Sequence, residues 1–318
     1  MAKKRIACIG SGVIGSSWAT AYALKGHPVV VYDIDQGPLD LAKERIETNL
    51  KYLEKNGVIT GAEVPAILDR VSYTTNMETA VKDADYVQES VLENYEIKQK
   101  VVAEFEKYAR PDVIYASSTS GLLISEIAKY AKHPERFIGA HPYNPPHLIP
   151  LVELTKGDKT SEEAVQTGKQ LMIEIGKEPV VLQKEALGFI SNRIQQAVMR
   201  EMAELVTRGV CTLEDADKAV TFGPAIRWAI MGPALIFQLG GGKGGIDGVF
   251  AMVQDSVNMW LDDMADWKRY PENWWKDCRV SVDKTISERP PELGNTDETL
   301  AEYRDKMLIS LLKMHNKL

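Results

Sequence analysis

The sequence predicts an α/β protein with a mainly parallel sheet, followed by an all-helical domain. Two observations lead to this prediction. Short apolar runs alternate with helical patterns through the first half of the 318 residues, and such alternation is typical of a parallel sheet covered by helices on both faces. Strand-like runs then stop, so we place an N-terminal domain at residues 1–189 and an all-helical C-terminal domain at residues 190–318.

The individual elements follow from the period of the apolar residues. Buried strands are predicted at 5–9, 29–32, 86–91, 113–116, 137–140, 152–154 and 178–181. Helices are predicted at 16–25, 36–55 and 96–108 in the first domain, and at 189–208, 212–220 and from 295–296 onward in the second. Thr212 is a typical N-cap, because its hydroxyl can accept a free amide of the first turn.

Composition excludes several classes of function. The formal net charge is −7 with no long basic block, whereas nucleic-acid binding needs a basic face. The three cysteines, Cys8, Cys211 and Cys278, show no C-x-x-C spacing, which favours a reducing compartment and argues against disulfides or a structural zinc site. No apolar run approaches the roughly 18 residues of a membrane span. We therefore expect a cytoplasmic protein without a metal, a nucleic-acid partner or a membrane partner.

A glycine-rich segment, Gly10-Ser11-Gly12-Val13-Ile14-Gly15, lies between the first predicted strand and the first predicted helix. Glycines at this spacing permit a tight turn and close approach of the backbone to a pyrophosphate, which the helix N-terminus attracts. Asp33 ends the second predicted strand at the offset expected for a carboxylate that binds the adenosine 2′-hydroxyl. The following Ile34, in place of arginine, favours NAD over NADP. The segment therefore predicts a Rossmann-type domain that binds NAD through Gly10, Gly12, Val13, Ile14, Gly15 and Asp33.

His141 is the strongest candidate for a catalytic base. It follows the predicted strand at 137–140, and open α/β sheets bind their ligands at the carboxyl ends of strands. Glu153 interrupts an apolar run twelve residues later, where a carboxylate needs a partner. Pairing with Glu153 would orient the imidazole and favour its protonated form. A purely structural pair is the alternative.

Several blocks of sequence together resemble one known family. They are Gln88–Asn94 with Lys98, Ser117–Ser120, His141–Pro145, Leu151–Glu153 and Gly188–Arg193. Over essentially its whole length the chain resembles the L-3-hydroxyacyl-CoA dehydrogenase superfamily. Its size and overall pattern are most similar to the branch that contains lambda-crystallin (L-gulonate 3-dehydrogenase) and L-carnitine dehydrogenase.

The resemblance implies roles for four residues in catalysis. His141 would remove the hydroxyl proton while Glu153 orients it, and Ser120 and Asn192 would hold the substrate oxygen. The alternatives are structural: Ser120 would cap the helix expected near Ser125, and Asn192 would be an ordinary polar residue of an early helical turn. The resemblance also places Glu93 and Lys98 near the nicotinamide ribose, and it implies a homodimer formed through the helical domain.

The chain departs from the acyl-CoA members of the family at Arg227-Trp228. A guanidinium facing the site would bind a free carboxylate in bidentate fashion, so Arg227 and Trp228 are candidate substrate-binding residues. Pairing of Arg227 with a structural carboxylate is the alternative.

The substrate we expect is therefore a small 3-hydroxy acid. The glycine-rich run Gly240–Gly245 resembles carnitine dehydrogenases and slightly favours an L-carnitine-type substrate, whose quaternary ammonium suits aromatic faces. Candidates for such faces are Tyr143, Trp228, Phe237 and Trp260. L-gulonate, a 3-hydroxyacyl-CoA such as 3-hydroxybutyryl-CoA, and a non-catalytic NAD-binding structural role remain as alternatives.

Overall fold

The computed structural model describes residues 3–318. Within this range eight strands form one sheet, and they are numbered along the chain as β1 Ile6–Ile9, β2 Val29–Tyr32, β3 Val71–Thr74, β4 Tyr86–Glu89, β5 Ile114–Ser117, β6 Phe137–Pro142, β7 Leu151–Lys156 and β8 Glu178–Val181. Their order across the sheet is β3-β2-β1-β4-β5-β6-β7-β8. All neighbouring pairs are parallel except β6 and β7, which are antiparallel. The predicted fold class is confirmed.

One strand, β3, was not predicted from the sequence. It lies at the edge of the sheet beside β2, and only Val71 among its four residues is buried. An edge strand with one buried side chain lacks the apolar run that identifies a central strand.

Seven helices connect these strands in the described chain: α1 Val13–Leu24, α2 Gln36–Lys55, α3 Val64–Leu68, α4 Met77–Val81, α5 Tyr95–Phe105, α6 Ile124–Ile127 and α7 Glu162–Glu174. Alternate residues of β1 enter two different apolar cores: Ile6 and Cys8 belong to one, and Ala7 and Ile9 belong to the other. Because successive strand residues point to opposite faces, the sheet is covered on both sides.

From residue 191 the described chain is helical. It forms α8 Ser191–Thr207, α9 Leu213–Phe222, α10 Pro224–Trp228, α11 Pro233–Gly240, α12 Gly245–Asp263, α13 Trp274–Glu288 and α14 Asp297–Met314. Thr212 caps α9 as predicted, since its side chain accepts the Asp215 amide. Among residues 3–318, no single helix is long and apolar enough to cross a bilayer, although the bent pair Leu213–Trp228 and Pro233–Gly240 meets the length and composition limits with an 84° bend.

The chain divides into two compact units, which differ from the predicted domains at residues 190–192 and 304–318. The first unit contains the chain through Asn192 together with Arg304–Leu318, and the second contains Arg193–Tyr303. The C-terminal segment joins the first unit because Ile309 and Leu312 are buried in one of its apolar cores. The sequence had assigned the whole of residues 190–318 to the helical domain, since an amphipathic helix does not reveal which core its apolar stripe enters.

Candidate active site

The glycine loop after β1 has the geometry expected for binding a dinucleotide. Gly10 has φ +92°, a left-handed conformation that favours glycine. A Cβ atom on Gly15 would lie 1.8 Å from the Gly10 carbonyl oxygen, so only glycine lets α1 pack this closely against the loop. A Cβ on Gly12 would meet nothing within 4 Å. The protein itself therefore leaves Gly12 open, as close approach of a pyrophosphate to the head of α1 requires.

A cavity of about 580 Å³ adjoins this loop and is lined by Gly10, Gly12 and Asp33. The Asp33 carboxylate is oriented by the loop, because its Oδ2 accepts both the backbone amide and the hydroxyl of Ser11, at 2.8 and 2.6 Å. Its Oδ1 accepts the Ile34 amide at 2.8 Å. Oδ2 already accepts two hydrogen bonds, whereas Oδ1 accepts one and has a lone pair left, so Asp33 can still accept a ribose hydroxyl through Oδ1.

The other predicted loop residues lie outside this cavity. Val13 is exposed and lines a separate cavity of about 480 Å³, while Ile14 packs against one of the apolar cores. They can contribute to dinucleotide binding through their backbone at the start of α1 rather than through their side chains.

A buried ion pair lies where β4 and β5 end. The Nζ of Lys98 is 2.7 Å from Glu89 Oε1, and both side chains are almost completely inaccessible to solvent. Glu89 also accepts the Val91 amide and the Ser117 hydroxyl, at 2.7 and 2.6 Å. Lys98, predicted near the nicotinamide ribose, is thus held within the protein. A buried charge pair needs such additional hydrogen bonds to offset its desolvation.

Glu93 holds the turn that presents Ser120. Its Oε1 accepts the Thr119 hydroxyl at 2.6 Å and the Ser120 amide at 2.7 Å, and its Oε2 lies 3.5 Å from Lys98 Nζ. The side chain of Ser120 is exposed. The helix that follows begins after Leu123 without a side-chain cap, so Ser120 is not the N-cap that the structural alternative required.

His141 and Glu153 are directly opposite each other on the antiparallel strands β6 and β7. Directly opposed residues project from the same face of a sheet, and here His141 Nδ1 lies 2.8 Å from Glu153 Oε2. Because Nδ1 is paired, Nε2 is the ring nitrogen that can face a substrate. The imidazole is also in edge contact with the rings of Tyr143 and Phe189, with centroid separations of 5.7 and 5.5 Å.

The turn before α8 holds the Glu153 carboxylate from the other side. The amides of Ile190 and Ser191 both donate to Glu153 Oε1 at 2.9 Å, and the Ser191 hydroxyl donates to Oε2. This turn requires a positive φ at Gly188 and at Phe189, the second of which is uncommon for a residue with a side chain. Burial raises the pKa of Glu153, but the hydrogen bonds from His141, Ser191 and Ile190 outweigh it and lower that pKa below its ordinary value.

Asn192 joins Ser120 to the region around His141. Its Nδ2 donates to the Ser120 carbonyl oxygen at 2.9 Å, and its Oδ1 accepts the Tyr143 hydroxyl at 3.3 Å. Four of the predicted residues, Ser120, His141, Glu153 and Asn192, therefore form one connected cluster in the first unit. The predicted substrate residues Arg227 and Trp228 are exposed on α10 of the second unit, and their role stays a prediction.

Sequence reasoning missed three contributors to this cluster. Glu89 was passed over because a single acid in an apolar strand resembles any other, although its spacing of nine residues from Lys98 on the following helix was visible. Ser191 lies in the block Gly188–Arg193, but nothing in the sequence indicates its hydrogen bond to Glu153. The hydrogen bond from Tyr143 to Asn192 had no signal in the sequence, because the two residues are 49 positions apart.

Three features together define a dinucleotide-dependent dehydrogenase. They are the sheet covered on both faces, the glycine loop, and the paired histidine at the same edge of the sheet. Among residues 3–318, no group of three or more histidine, cysteine, aspartate or glutamate side chains could hold a metal ion.

Comparison with known proteins identifies the family. Residues 5–186 match the NAD binding domain of 3-hydroxyacyl-CoA dehydrogenase, and residues 188–275 match the C-terminal domain of the same family. The chain belongs to the 3-hydroxyacyl-CoA dehydrogenase family and is an NAD-dependent oxidoreductase.

Individual relatives cover nearly the whole chain. An L-carnitine dehydrogenase of Pseudomonas sp is 40% identical over 311 residues, which cover 98% of this chain and 93% of the relative. A 3-hydroxyacyl-CoA dehydrogenase of Gibberella moniliformis is 34% identical over 319 residues, with 99% and 96% covered. The crystal structure of 5-formyl-3-hydroxy-2-methylpyridine 4-carboxylic acid 5-dehydrogenase is similar with a TM-score of 0.79 and 29% identity, covering 99% of this chain and 98% of that one.

Proposed function

We propose that this protein oxidises a small 3-hydroxy acid to the 3-oxo acid with NAD, with His141 as the general base and an L-carnitine-type molecule as substrate. The observation that carries the proposal is the buried pair of His141 and Glu153, connected to Ser120 through Asn192. We assign NAD binding to the N-terminal domain, and substrate binding and dimerisation to the helical domain.

The proton of the substrate hydroxyl would pass to His141 Nε2. Glu153 accepts from Nδ1, so its negative charge favours the imidazolium that forms as the proton arrives. The glycine loop and Asp33 would hold NAD, which would supply the acceptor for the hydride that leaves the carbinol carbon. The oxidation thus yields the 3-oxo acid, NADH and one proton, which leaves from His141 to solvent.

Ser120 and Asn192 would hold the reacting oxygen. The exposed Ser120 hydroxyl can donate to it, and the second hydrogen of Asn192 Nδ2 is available because the first is used by the Ser120 carbonyl. Two donors directed at one oxygen keep the hydroxyl beside His141 and bind the product carbonyl.

Two features favour a free carnitine-type acid. The first is similarity to several relatives named L-carnitine dehydrogenase, at 34–40% identity over nearly the full chain. The second is Arg227-Trp228 on α10, where the guanidinium can bind a carboxylate in bidentate fashion and the indole can lie against a quaternary ammonium.

A screen for NADH formation with L-carnitine, L-gulonate and 3-hydroxybutyryl-CoA tests this proposal. We expect turnover with L-carnitine, and we expect Arg227→Met to raise its KM by about tenfold or more, as loss of a charge-assisted hydrogen bond does. Lys276→Met, at an exposed site of the same unit, is the matched control and should leave KM unchanged. Activity with none of the three substrates, or an unchanged KM in Arg227→Met, would contradict the assignment.

A coenzyme A ester is the second candidate. The Gibberella relative named 3-hydroxyacyl-CoA dehydrogenase covers the chain as completely as the carnitine dehydrogenases do. Faster turnover of 3-hydroxybutyryl-CoA than of any free acid, with no effect of Arg227→Met, would favour this candidate.

We further propose that the second unit forms a homodimer. Large apolar side chains of this unit are exposed, among them Phe222, Leu239, Trp260 and Trp275, and their burial against a partner would be favourable. A second copy is the occupant that the family resemblance implies. Light scattering should give a mass twice the 35.4 kDa of one chain. The Trp260→Asp variant, which introduces a charge at this surface, should shift the population toward the monomer. A monomeric wild-type protein at micromolar concentration would contradict this proposal.

A further inference from the structure

A third cavity is lined only by residues of the second unit. Its volume is about 690 Å³, and it is bounded by one face of α8 and by the segment 267–270. The α8 residues that line it, Arg193, Gln196, Ala197 and Arg200, are spaced three, four and seven positions apart, so they share one face of the helix.

The charge of this cavity is opposite to that of the whole protein. Four cationic side chains line it, Arg193, Arg200, Lys268 and Arg269, and no carboxylate is among its lining residues in the described chain. The protein as a whole carries a formal net charge of −7. Like charges gathered around one cavity repel one another, and an anion bound among Arg200, Lys268 and Arg269 relieves that repulsion.

The nearest acidic residues of α8 already have other partners. Glu204 Oε2 accepts the indole N–H of Trp267 at 2.9 Å, and Glu201 Oε2 accepts the Ala265 amide at 3.0 Å. Both carboxylates therefore shape the segment that forms the opposite wall.

Arg200 supplies an independent indication of a ligand. Its Nε is buried without a hydrogen-bond partner in the described chain, and one terminal nitrogen makes only a marginal contact of 3.5 Å with the Trp267 carbonyl oxygen. A buried donor left unpaired is costly. An oxyanion in the cavity would accept from this guanidinium, which is suited to bidentate binding of phosphate and carboxylate.

Polar and aromatic groups complete the wall. The Tyr270 hydroxyl donates to Gln196 Oε1 at 2.7 Å, an arrangement that leaves the Gln196 amide nitrogen as a further donor. The rings of Trp267 and Tyr270 are in edge contact, with centroids 5.3 Å apart, and they hold the segment at 267–270 in place.

We infer that this cavity binds a small multivalent oxyanion, a phosphate or a polycarboxylate, at a site independent of the dinucleotide and of the cluster around His141. Arg200 is the central ligand, Lys268 and Arg269 are the ligands of the opposite wall, and Gln196 adds a neutral donor.

Calorimetric titration of the full-length protein with inorganic phosphate, pyrophosphate and citrate tests this inference. The protein is first saturated with NADH, so that the glycine loop cannot bind the anion. We expect saturable binding of one anion per chain, with an affinity that falls at high salt. The anion that binds with the highest affinity shows whether the site prefers a phosphate or a polycarboxylate. Absence of binding for all three anions would overturn the inference.

Variants locate the binding. Arg200→Gln should lower the affinity for the anion by about tenfold or more. If that variant fails to fold, the double variant Lys268→Gln with Arg269→Gln, at two exposed positions, tests the same site. Lys276→Gln with Lys284→Gln removes the same charge from α13 and should leave affinity unchanged. Equal weakening by both double variants, or none by either, would overturn the inference, because the anion would then not bind at this cavity.

Discussion

Glu89 and Glu153 occupy comparable places at the carboxyl edge of the sheet but have different partners. Both carboxylates are fully buried, and each lies within 2.8 Å of a basic nitrogen, on Lys98 for Glu89 and on His141 for Glu153. Glu89 also accepts one backbone amide and Glu153 accepts two, and each accepts a serine hydroxyl.

Because the two carboxylates have different partners, one pair can have a structural role and the other can have a catalytic role. The Lys98 ammonium contacts Glu89 and the Val91 carbonyl oxygen, both groups of the protein itself, so the pair of Glu89 and Lys98 can serve to hold the ends of β4 and β5 together. A histidine gains and loses a proton in the neutral range, so the pair with Glu153 can take part in proton transfer. Two similar arrangements of buried charge thus differ in their possible roles, because an imidazole has a second ring nitrogen that can face a substrate and a lysine ammonium does not.

The largest effect on activity is expected when His141 is replaced. His141→Gln removes the proton acceptor, and kcat should fall by about 10²- to 10⁴-fold. The affinity for NADH, measured by fluorescence titration, should stay unchanged because the glycine loop is intact. A variant that keeps wild-type turnover would show that both pairs are structural.

Lys98→Met breaks the other pair and leaves Glu89 buried without a cation. The free energy of unfolding should fall by about 3–5 kcal/mol, as measured by urea denaturation. Glu89→Gln combined with Lys98→Met is the control, and it should recover most of the loss because no unpaired charge remains. If the single variant were as stable as the wild type, the pair would not contribute to stability.

Glu153→Gln tests the carboxylate that orients the base. We expect kcat to fall by about a hundredfold with little change in NADH affinity. Since the pKa of Glu153 is held below its ordinary value of 4.5, its ionised form stabilises the folded protein above that pH, and this contribution is lost as the pH falls further. The free energy of unfolding, measured between pH 3 and pH 6, should therefore depend less on pH in Glu153→Gln than in the wild type. An identical pH dependence would contradict the assignment.

The smallest effect is expected at Lys177, a buried cation that has no carboxylate partner among residues 3–318. Its Nζ donates to the Pro146 and Ile149 carbonyl oxygens, and burial lowers its pKa from 10.5 to about 7. The unfolded chain therefore binds more protons between these values, so stability should rise with pH across this window. Lys177→Met should flatten that rise and cost about 1–3 kcal/mol at neutral pH. An unchanged slope in the variant would contradict the lowered pKa.

Much of the fold was predictable because its signals are local. The run of β1, the glycines at 10, 12 and 15, and the Thr212 cap each depend on residues close together in the chain. The edge strand β3 was missed because only Val71 carries an apolar signal. The assignment of residues 304–318 differed because the apolar stripe of α14 does not indicate which core covers it.

The candidate site was predictable to a lesser degree. His141 and Glu153 could be named as a pair because a buried acid needs a partner and few histidines were available. Lys98 could be named only by resemblance, and its partner Glu89 was not foreseen, since both residues look ordinary along the chain.

The sequence by itself determined the class of fold, the dinucleotide loop and the identity of the residues that can transfer a proton. The tertiary structure decided how those residues are paired: the antiparallel register of β6 and β7 sets His141 opposite Glu153, and the strained turn at Phe189 directs two amides onto the carboxylate. The physical reason is the distance along the chain over which each kind of interaction acts. Backbone preferences and apolar periodicity act between neighbours in the chain, whereas hydrogen-bond partners are chosen by strand register and packing among residues that are distant in sequence.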